Sequence, residues 1–185
     1  MEELRKRLRS LKAADQKAIE LLESLFVPVF FRRHWVLSHA TGISTATLFY
    51  ISEGLMQGTV SLQKKDYCLW IINRGFIIPG NGFLTSAKAE EFVEVLSDTK
   101  GYSLNLLRAD TIARNNINMY RMLLEIYEEV TLEGRRREIM LRMKNATDRY
   151  VFFCENYPDL CNRLTLRQQA YYLHVDPKYF YSIRK

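Results

Sequence analysis

The residues best placed to do chemistry lie near the C-terminus. Thr165-Leu166-Arg167-Gln168 has the T-x-x-Q spacing of a capping box, so a helix starts at Leu166 and runs through Ala170 to Leu173. Asp176-Pro177 supplies a second N-cap with proline at the first helical position, and a second helix runs from Pro177 onward. Two short helices joined by a turn of about three residues form a helix-turn-helix. Ala170 is small where the helices must cross closely. Leu173, Val175, Phe180 and Ile183 are apolar where they share a core. His174 stands in the turn at a position that often needs positive φ, which histidine tolerates better than most residues. In such a motif the second helix lies in the DNA major groove and the first spans the backbone. Lys178, Tyr181, Ser182 and Lys185 fall away from Phe180 and Ile183, and with Tyr179 they offer cations, phenols and a hydroxyl to bases and phosphates. Thr165, Arg167 and Gln168 are the candidates on the first helix. The competing reading is a helical hairpin that only packs against the rest of the chain.

Other chemistry finds less support. His34, His39 and His174 form no HxH, HExxH or HxxxH pattern, so no metal is expected. A metal-dependent jelly-roll enzyme would need clustered histidine and carboxylate ligands on its strands, and none occurs. No P-loop or G-x-S-x-G nucleophile motif is present. No catalytic residue and no cofactor are therefore assigned. Cys68, Cys154 and Cys161 are too few and too scattered for a disulfide framework, and each is expected as a buried or half-buried free thiol.

Charge distribution agrees with a polyanion partner. The net charge of +6 is not spread evenly. Residues 1–134 carry 16 basic and 16 acidic side chains, whereas residues 135–185 carry 11 basic and 5 acidic. A neutral body with a basic C-terminal segment points to a polyanion partner or, equally on charge alone, to a solvated charged helix face. With 48% hydrophobic and 26% charged residues the chain is of ordinary globular type rather than disordered. No apolar run approaches a membrane span, and charges interrupt the N-terminus where a secretory signal would need apolar residues, so a cytoplasmic protein is expected.

The elements that must position these residues follow from periodicity. Residues 1–26 read as helix, with Asp15 as an internal N-cap candidate. Residues 27 to about 107 carry eight or so short apolar and β-branched runs between turn signals, which point to a β-sandwich, jelly roll or barrel. Asp110 or Thr111 caps a short helix. A long helix then spans 116–144. Ile117, Tyr120, Leu124, Tyr127, Thr131 and Gly134 form a heptad seam on it, beside a second stripe of Met119, Leu123, Ile126 and Val130. One stripe can pack on the β-domain while the other is free for a partner helix, so a homodimer is expected; the alternative is that both stripes are buried within one chain. Asn145 caps a further helix over 146–156, ended by Pro158. The division is 1–115 for the N-terminal helix and β-domain, 116–144 for the dimerisation helix, and 145–185 for the helix-turn-helix.

This order resembles the Crp/Fnr family of transcription regulators. Leu48-Phe49-Tyr50-Ile51-Ser52-Glu53-Gly54-Leu55 looks like that family's strand-and-turn signature. Asn145-Ala146-Thr147-Asp148-Arg149-Tyr150 with Tyr157-Pro158 looks like its S-A-x-E-R-Y helix and following F-P, and the segment from Leu173 to Lys185 looks like its recognition helix. The resemblance implies an α+β fold with an N-terminal jelly roll of cyclic-nucleotide-binding type, a long dimerisation helix and a C-terminal helix-turn-helix. It also implies a cytoplasmic, non-enzymatic, homodimeric DNA-binding regulator, with RNA polymerase as a further candidate partner and no membrane contact. The effector pocket would involve Gly80, Asn81, Gly82, Phe83 and Lys88. Members that bind cyclic AMP have a Gly-Glu pair and an arginine there, because a cyclic phosphate needs backbone N–H groups and a guanidinium fork. Asn81 replaces the glutamate, and Lys88 offers only a point charge. Cyclic AMP is not the expected ligand; the β-domain either senses an unidentified effector or is a vestigial sensor. The recognition helix departs too: Lys178 and Ser182 stand where the family places glutamate and arginine, and no wing strands follow Lys185. The alternative function is a sensor-like regulator that acts through protein–protein contacts without sequence-specific DNA binding.

Overall fold

The computed structural model describes residues 1–37, 46–79 and 91–183. Two N-terminal helices come first, α1 (Glu2–Arg9) and α2 (Gln16–Leu25). The single helix expected over residues 1–26 is thus broken, and Asp15 is the reason: its carboxylate accepts the Ala18 N–H at 2.7 Å and starts a new helix.

An antiparallel β-domain follows, built of β1 (Val27–Phe31), β2 (Val36–Leu37), β3 (Thr47–Leu62), β4 (Lys65–Ile72), β5 (Gly75–Ile77) and β6 (Glu91–Asn105). The strand order is β1-β6-β3-β4, with β2 on β6 and β5 on β3. Six strands stand among the described residues where eight or so short ones were expected. Residues read as turns at Glu53-Gly54 and at 97–101 lie inside the two long strands β3 and β6. They form bulges: the β3–β6 register shifts between Ile51 and Glu53 and again between Glu53 and Leu55. Gly54 has φ of 128°, which a side chain would resist, and the buried Thr99 hydroxyl accepts the Leu55 N–H at 3.2 Å. Bulges and turns recruit the same residue types, so the sequence pattern does not separate them. Gln63 (φ 51°) and Lys64 (φ 64°) make the two-residue hairpin between β3 and β4, and two successive positive φ angles suit the right-handed strand twist.

Helix α3 (Leu106–Ala113) begins one turn earlier than expected, because Asn105 rather than Asp110 or Thr111 is its cap; Asn105 accepts the Arg108 N–H at 3.0 Å. The long helix α4 (Ile117–Arg142) is capped by Asn116, which accepts the Met119 N–H at 2.9 Å. Its 26 residues span about 39 Å. The inner stripe of Met119, Leu123 and Ile126 is buried, together with Met122. It packs with Leu4, Leu8, Ala18 and Leu22 of the N-terminal helices and Leu48 and Leu104 of the sheet. Polar contacts fix the same junction: the Glu125 carboxylate accepts the backbone N–H groups of Lys12 (2.7 Å) and Ala13 (2.8 Å), and Asn118 donates to Asp15. A second core of Phe49, Ile51, Met56, Val93 and Val95 fills the β-domain, since alternation along β3 sends Phe49 and Ile51 inward and Leu48 and Tyr50 toward the helices.

Four short helices complete the chain: α5 (Ala146–Asn156), α6 (Pro158–Arg163), α7 (Leu166–Tyr172) and α8 (Pro177–Ile183). Asn145 caps α5 by accepting the Thr147 N–H at 3.0 Å. Pro158 ends α5 as expected but also opens α6, a helix the periodicity did not indicate. This fold-back brings the Cα atoms of Cys154 and Cys161 to 5.3 Å, and the two are joined in a disulfide rather than standing as free thiols. Cys68 is free and buried, and burial pushes its thiol up to about 11. The four helices share a third core with Leu55, Cys68 and Ile71 of the β-domain.

Candidate nucleic-acid interface

The helix-turn-helix is assembled from local signals. Thr165 and Gln168 form the reciprocal capping box at the start of α7: the Gln168 N–H donates to Thr165 Oγ1 (3.3 Å) and the Thr165 N–H to Gln168 Oε1 (2.9 Å). Helix α7 ends in a Schellman arrangement, with Val175 N–H donating to the Ala170 carbonyl (2.9 Å) and His174 N–H to that of Tyr171 (3.2 Å). His174 has φ of 54°, the left-handed conformation its place in the turn demands. Asp176 Oδ1 then accepts the N–H groups of Lys178 (2.9 Å) and Tyr179 (3.1 Å) and opens α8. Ala170, Leu173 and Phe180 are fully buried, and the Phe180 ring meets Tyr150 edge-on at 5.4 Å.

Helical periodicity of about 100° per residue places Lys178 and Ser182 opposite Phe180, flanked by Tyr179 and Tyr181. All four are exposed, Tyr179 to 52% and Tyr181 to 53%. That is a large aromatic surface for a short helix, and it stands beside a cation on one face. Ser182 Oγ donates to the Tyr179 carbonyl at 2.6 Å, so its hydroxyl proton is committed to the helix and the oxygen of this exposed residue is left to act as an acceptor. Thr165 and Arg167 are exposed at the start of α7, while Gln168 is half-buried in the capping box. Lys185 lies outside the described residues.

Two arginines of the basic segment have other work. Arg137 Nη2, from α4, donates to the Cys68 carbonyl at 2.7 Å and the Tyr172 carbonyl at 3.0 Å, and its guanidinium lies 4.9 Å from the centre of the Tyr172 ring. Arg149 Nη1 donates to the carbonyls of Leu173 (3.1 Å) and His174 (3.4 Å). Their Nε atoms are buried, with no hydrogen-bond partner among the described residues. The charge excess at the C-terminus is therefore partly internal. Gln169, also unmarked by sequence pattern, is buried in α7; its amide donates to the carbonyls of Cys161 (2.8 Å) and Leu164 (2.9 Å) and ties α6 to α7. Arginine and glutamine at helical spacing look like surface residues, and only the buried carbonyls around them reveal the role.

A cavity of about 510 Å³ lies where the β-domain, α4 and the C-terminal helices meet, lined in part by Trp70, Ile72, Phe76, Val130, Gly134 and Tyr157. Its volume suits a small organic ligand. Burial, with Glu133 next as a Coulombic neighbour, pushes the Tyr157 phenol up to about 12; the phenol donates to Glu133 Oε2 at 3.2 Å on this wall. The effector residues expected from sequence, Gly80, Asn81, Gly82, Phe83 and Lys88, lie outside the described residues. Among the described residues no group of three or more His, Cys, Asp or Glu could hold a metal ion, and no helix is long and apolar enough to cross a membrane.

The outer stripe of α4 stands open at Ile117, Tyr120 and Leu124, which are 63%, 40% and 51% exposed, while Tyr127 is half-buried. Gly134 lies on the same seam, and a Cβ built there would meet nothing within 4 Å.

No family model and no curated protein matches the sequence. Solved structures match the fold over most of the chain. The c-di-GMP-responsive global regulator CLP of Xanthomonas campestris superposes with a TM-score of 0.66 at 15% identity, over 91% of this chain and 89% of that one. A protein described as a transcriptional regulator of the Crp/Fnr family from Eubacterium rectale gives 0.67 at 9% identity, over 92% and 82%. The catabolite activator protein of Thermus thermophilus gives 0.54 at 12% identity, over 94% and 83%. The α+β architecture of this chain, an antiparallel β-domain followed by a long helix and C-terminal helices, is that of the Crp/Fnr regulators.

Proposed function

We propose that the chain is a homodimeric DNA-binding transcription regulator of Crp/Fnr type, without enzymatic activity, whose β-domain receives an effector other than cyclic AMP. The observation that carries this reading is the outer face of α8. A doubly capped helix-turn-helix buries Phe180 and leaves Lys178, Tyr179, Tyr181 and Ser182 exposed on a face that carries no acidic side chain. The open apolar stripe of α4 supports dimerisation, which would place two such heads about 34 Å apart across a twofold axis. The cavity beside α4 supports effector binding near the helix, where a ligand could favour one arrangement of the heads. The cyclic-phosphate pattern is absent at Asn81 and Lys88, so the ligand must be recognised by other chemistry.

The test is duplex binding by the dimer across a salt series, with duplex selected from a random pool. Affinity should fall steeply as salt rises. No binding at low salt by a protein shown to be dimeric would overturn the reading. A second reading, contact with another protein through the head, draws on the two exposed tyrosines and on the missing arginine at Ser182. Lys178→Ala combined with Lys185→Ala separates the two: loss of DNA affinity with dimerisation intact favours DNA.

A further inference from the structure

The C-terminal end of α7 is a joint between three parts of the molecule. Its Schellman turn uses the carbonyls of Ala170 and Tyr171, which leaves those of Tyr172, Leu173 and His174 at the negative end of the helix. Arg149, within the head, takes the last two; Arg137 takes Tyr172. Arg137 belongs to α4, however, and its other acceptor is Cys68 of β4. One guanidinium therefore ties the long helix, the β-domain and the helix-turn-helix together. The docking extends beyond it: Leu55, Cys68 and Ile71 share a core with Ala170, Tyr172 and Leu173, and the Tyr67 and His174 rings lie 5.8 Å apart. Arg137 is half-buried with its Nε enclosed, so any swing of the head would break its bond to Tyr172 and leave the Cys68 carbonyl as its one remaining acceptor among these contacts.

We propose that Arg137 is a positioning residue, a latch that holds the helix-turn-helix against β4 and so sets the half-site spacing that the dimer accepts. This rests on the DNA-binding dimer proposed above. The docked head is one that can engage DNA, because the outer face of α8 is open in this arrangement. With the latch made, the head cannot turn about the short segment between α4 and α5, and two heads on one twofold axis stand at a single separation. With the latch absent, each head still reads its half-site, but the pair no longer discriminates spacing.

The experiment compares the full-length protein with Arg137→Met, which keeps the length of the side chain and removes its donors. Binding is measured to duplexes carrying two selected half-sites whose separation is stepped one base pair at a time, and to a duplex with a single half-site. The unchanged protein should prefer one separation by about tenfold, the scale of one charge-assisted hydrogen bond. Arg137→Met should lose that preference while single-site affinity and dimerisation stay the same. A retained preference would overturn the latch. A second pair of variants does not depend on Arg137: Tyr67→Cys with His174→Cys, joined by a short thiol-reactive linker, fixes the head in the docked position. The joined protein should keep both two-site binding and the spacing preference, and loss of either would overturn the latch even if Arg137→Met does not fold. If the unchanged protein binds no duplex, the DNA reading itself fails. The latch is then judged on amide hydrogen exchange, where unchanged protection of α7 in Arg137→Met would sink it.

Discussion

Truncation of Leu124 to alanine puts the outer stripe of α4 to a direct test. Full burial of a leucine side chain is worth about 1.5–3 kcal/mol, and Leu124 is 51% exposed in the single chain, so about half of that is left for a partner to supply. In a twofold dimer the contact occurs twice, which gives about 1.5–3 kcal/mol per dimer. The dissociation constant should rise roughly 10- to 150-fold. Helix propensity does not oppose the change, since alanine is the better helix former. Sedimentation equilibrium over a wide concentration range gives the constant for both proteins. Leu107→Ala on α3 is the control, because Leu107 is 55% exposed but lies off the stripe; it should leave association unaltered. The reasoning is refuted if both substitutions weaken association equally, or if Leu124→Ala leaves it unchanged.

Three other outcomes follow from the packing. Gly134→Ala should stabilise the isolated helix by about 0.5–1 kcal/mol, because its Cβ meets nothing within the chain, and should weaken the dimer by crowding the seam; denaturation at low concentration and sedimentation should move in opposite directions. Phe180→Ala should destabilise the head by about 3–5 kcal/mol, since the side chain is fully buried, and abolish duplex binding with dimerisation intact; a drop below 1 kcal/mol by denaturant titration would count against the packing. The Asp15 carboxyl is held below its ordinary value, first by the Ala18 N–H and then by the Asn118 amide. Its contribution to stability is present above the unfolded value near 4 and is lost as pH falls through the lower folded value. The stability gap between the unchanged protein and Asp15→Asn should therefore close on acidification, and a gap independent of pH between 7 and 2.5 would refute this.

Much of the C-terminal half was legible because its signals are local. A capping box, an Asp-Pro start and a histidine at a left-handed position act within four residues of themselves, so Thr165, Gln168, Asp176 and His174 announce their geometry in any context. The heptad stripes of α4 were legible for the same reason. The β-domain was harder. Glu53-Gly54 and residues 97–101 look like turns, and only pairing between β3 and β6, more than 40 residues apart in sequence, makes them bulges. The split of the cysteines into one buried thiol and one bonded pair depended likewise on how α6 folds back on α5.

The sequence by itself determined the succession of helical N-terminus, β-domain, long helix and recognition pair, the caps of that pair, and where basic residues concentrate, since propensity, periodicity and charge are properties of neighbouring residues. Tertiary structure decided what those basic residues do. Lys178 and Arg167 stay at the surface, whereas Arg137 and Arg149 turn inward to the carbonyl end of α7. No spacing rule distinguishes the two pairs, because a guanidinium is drawn inward only where distant segments bring unsatisfied carbonyls within about 3 Å of it.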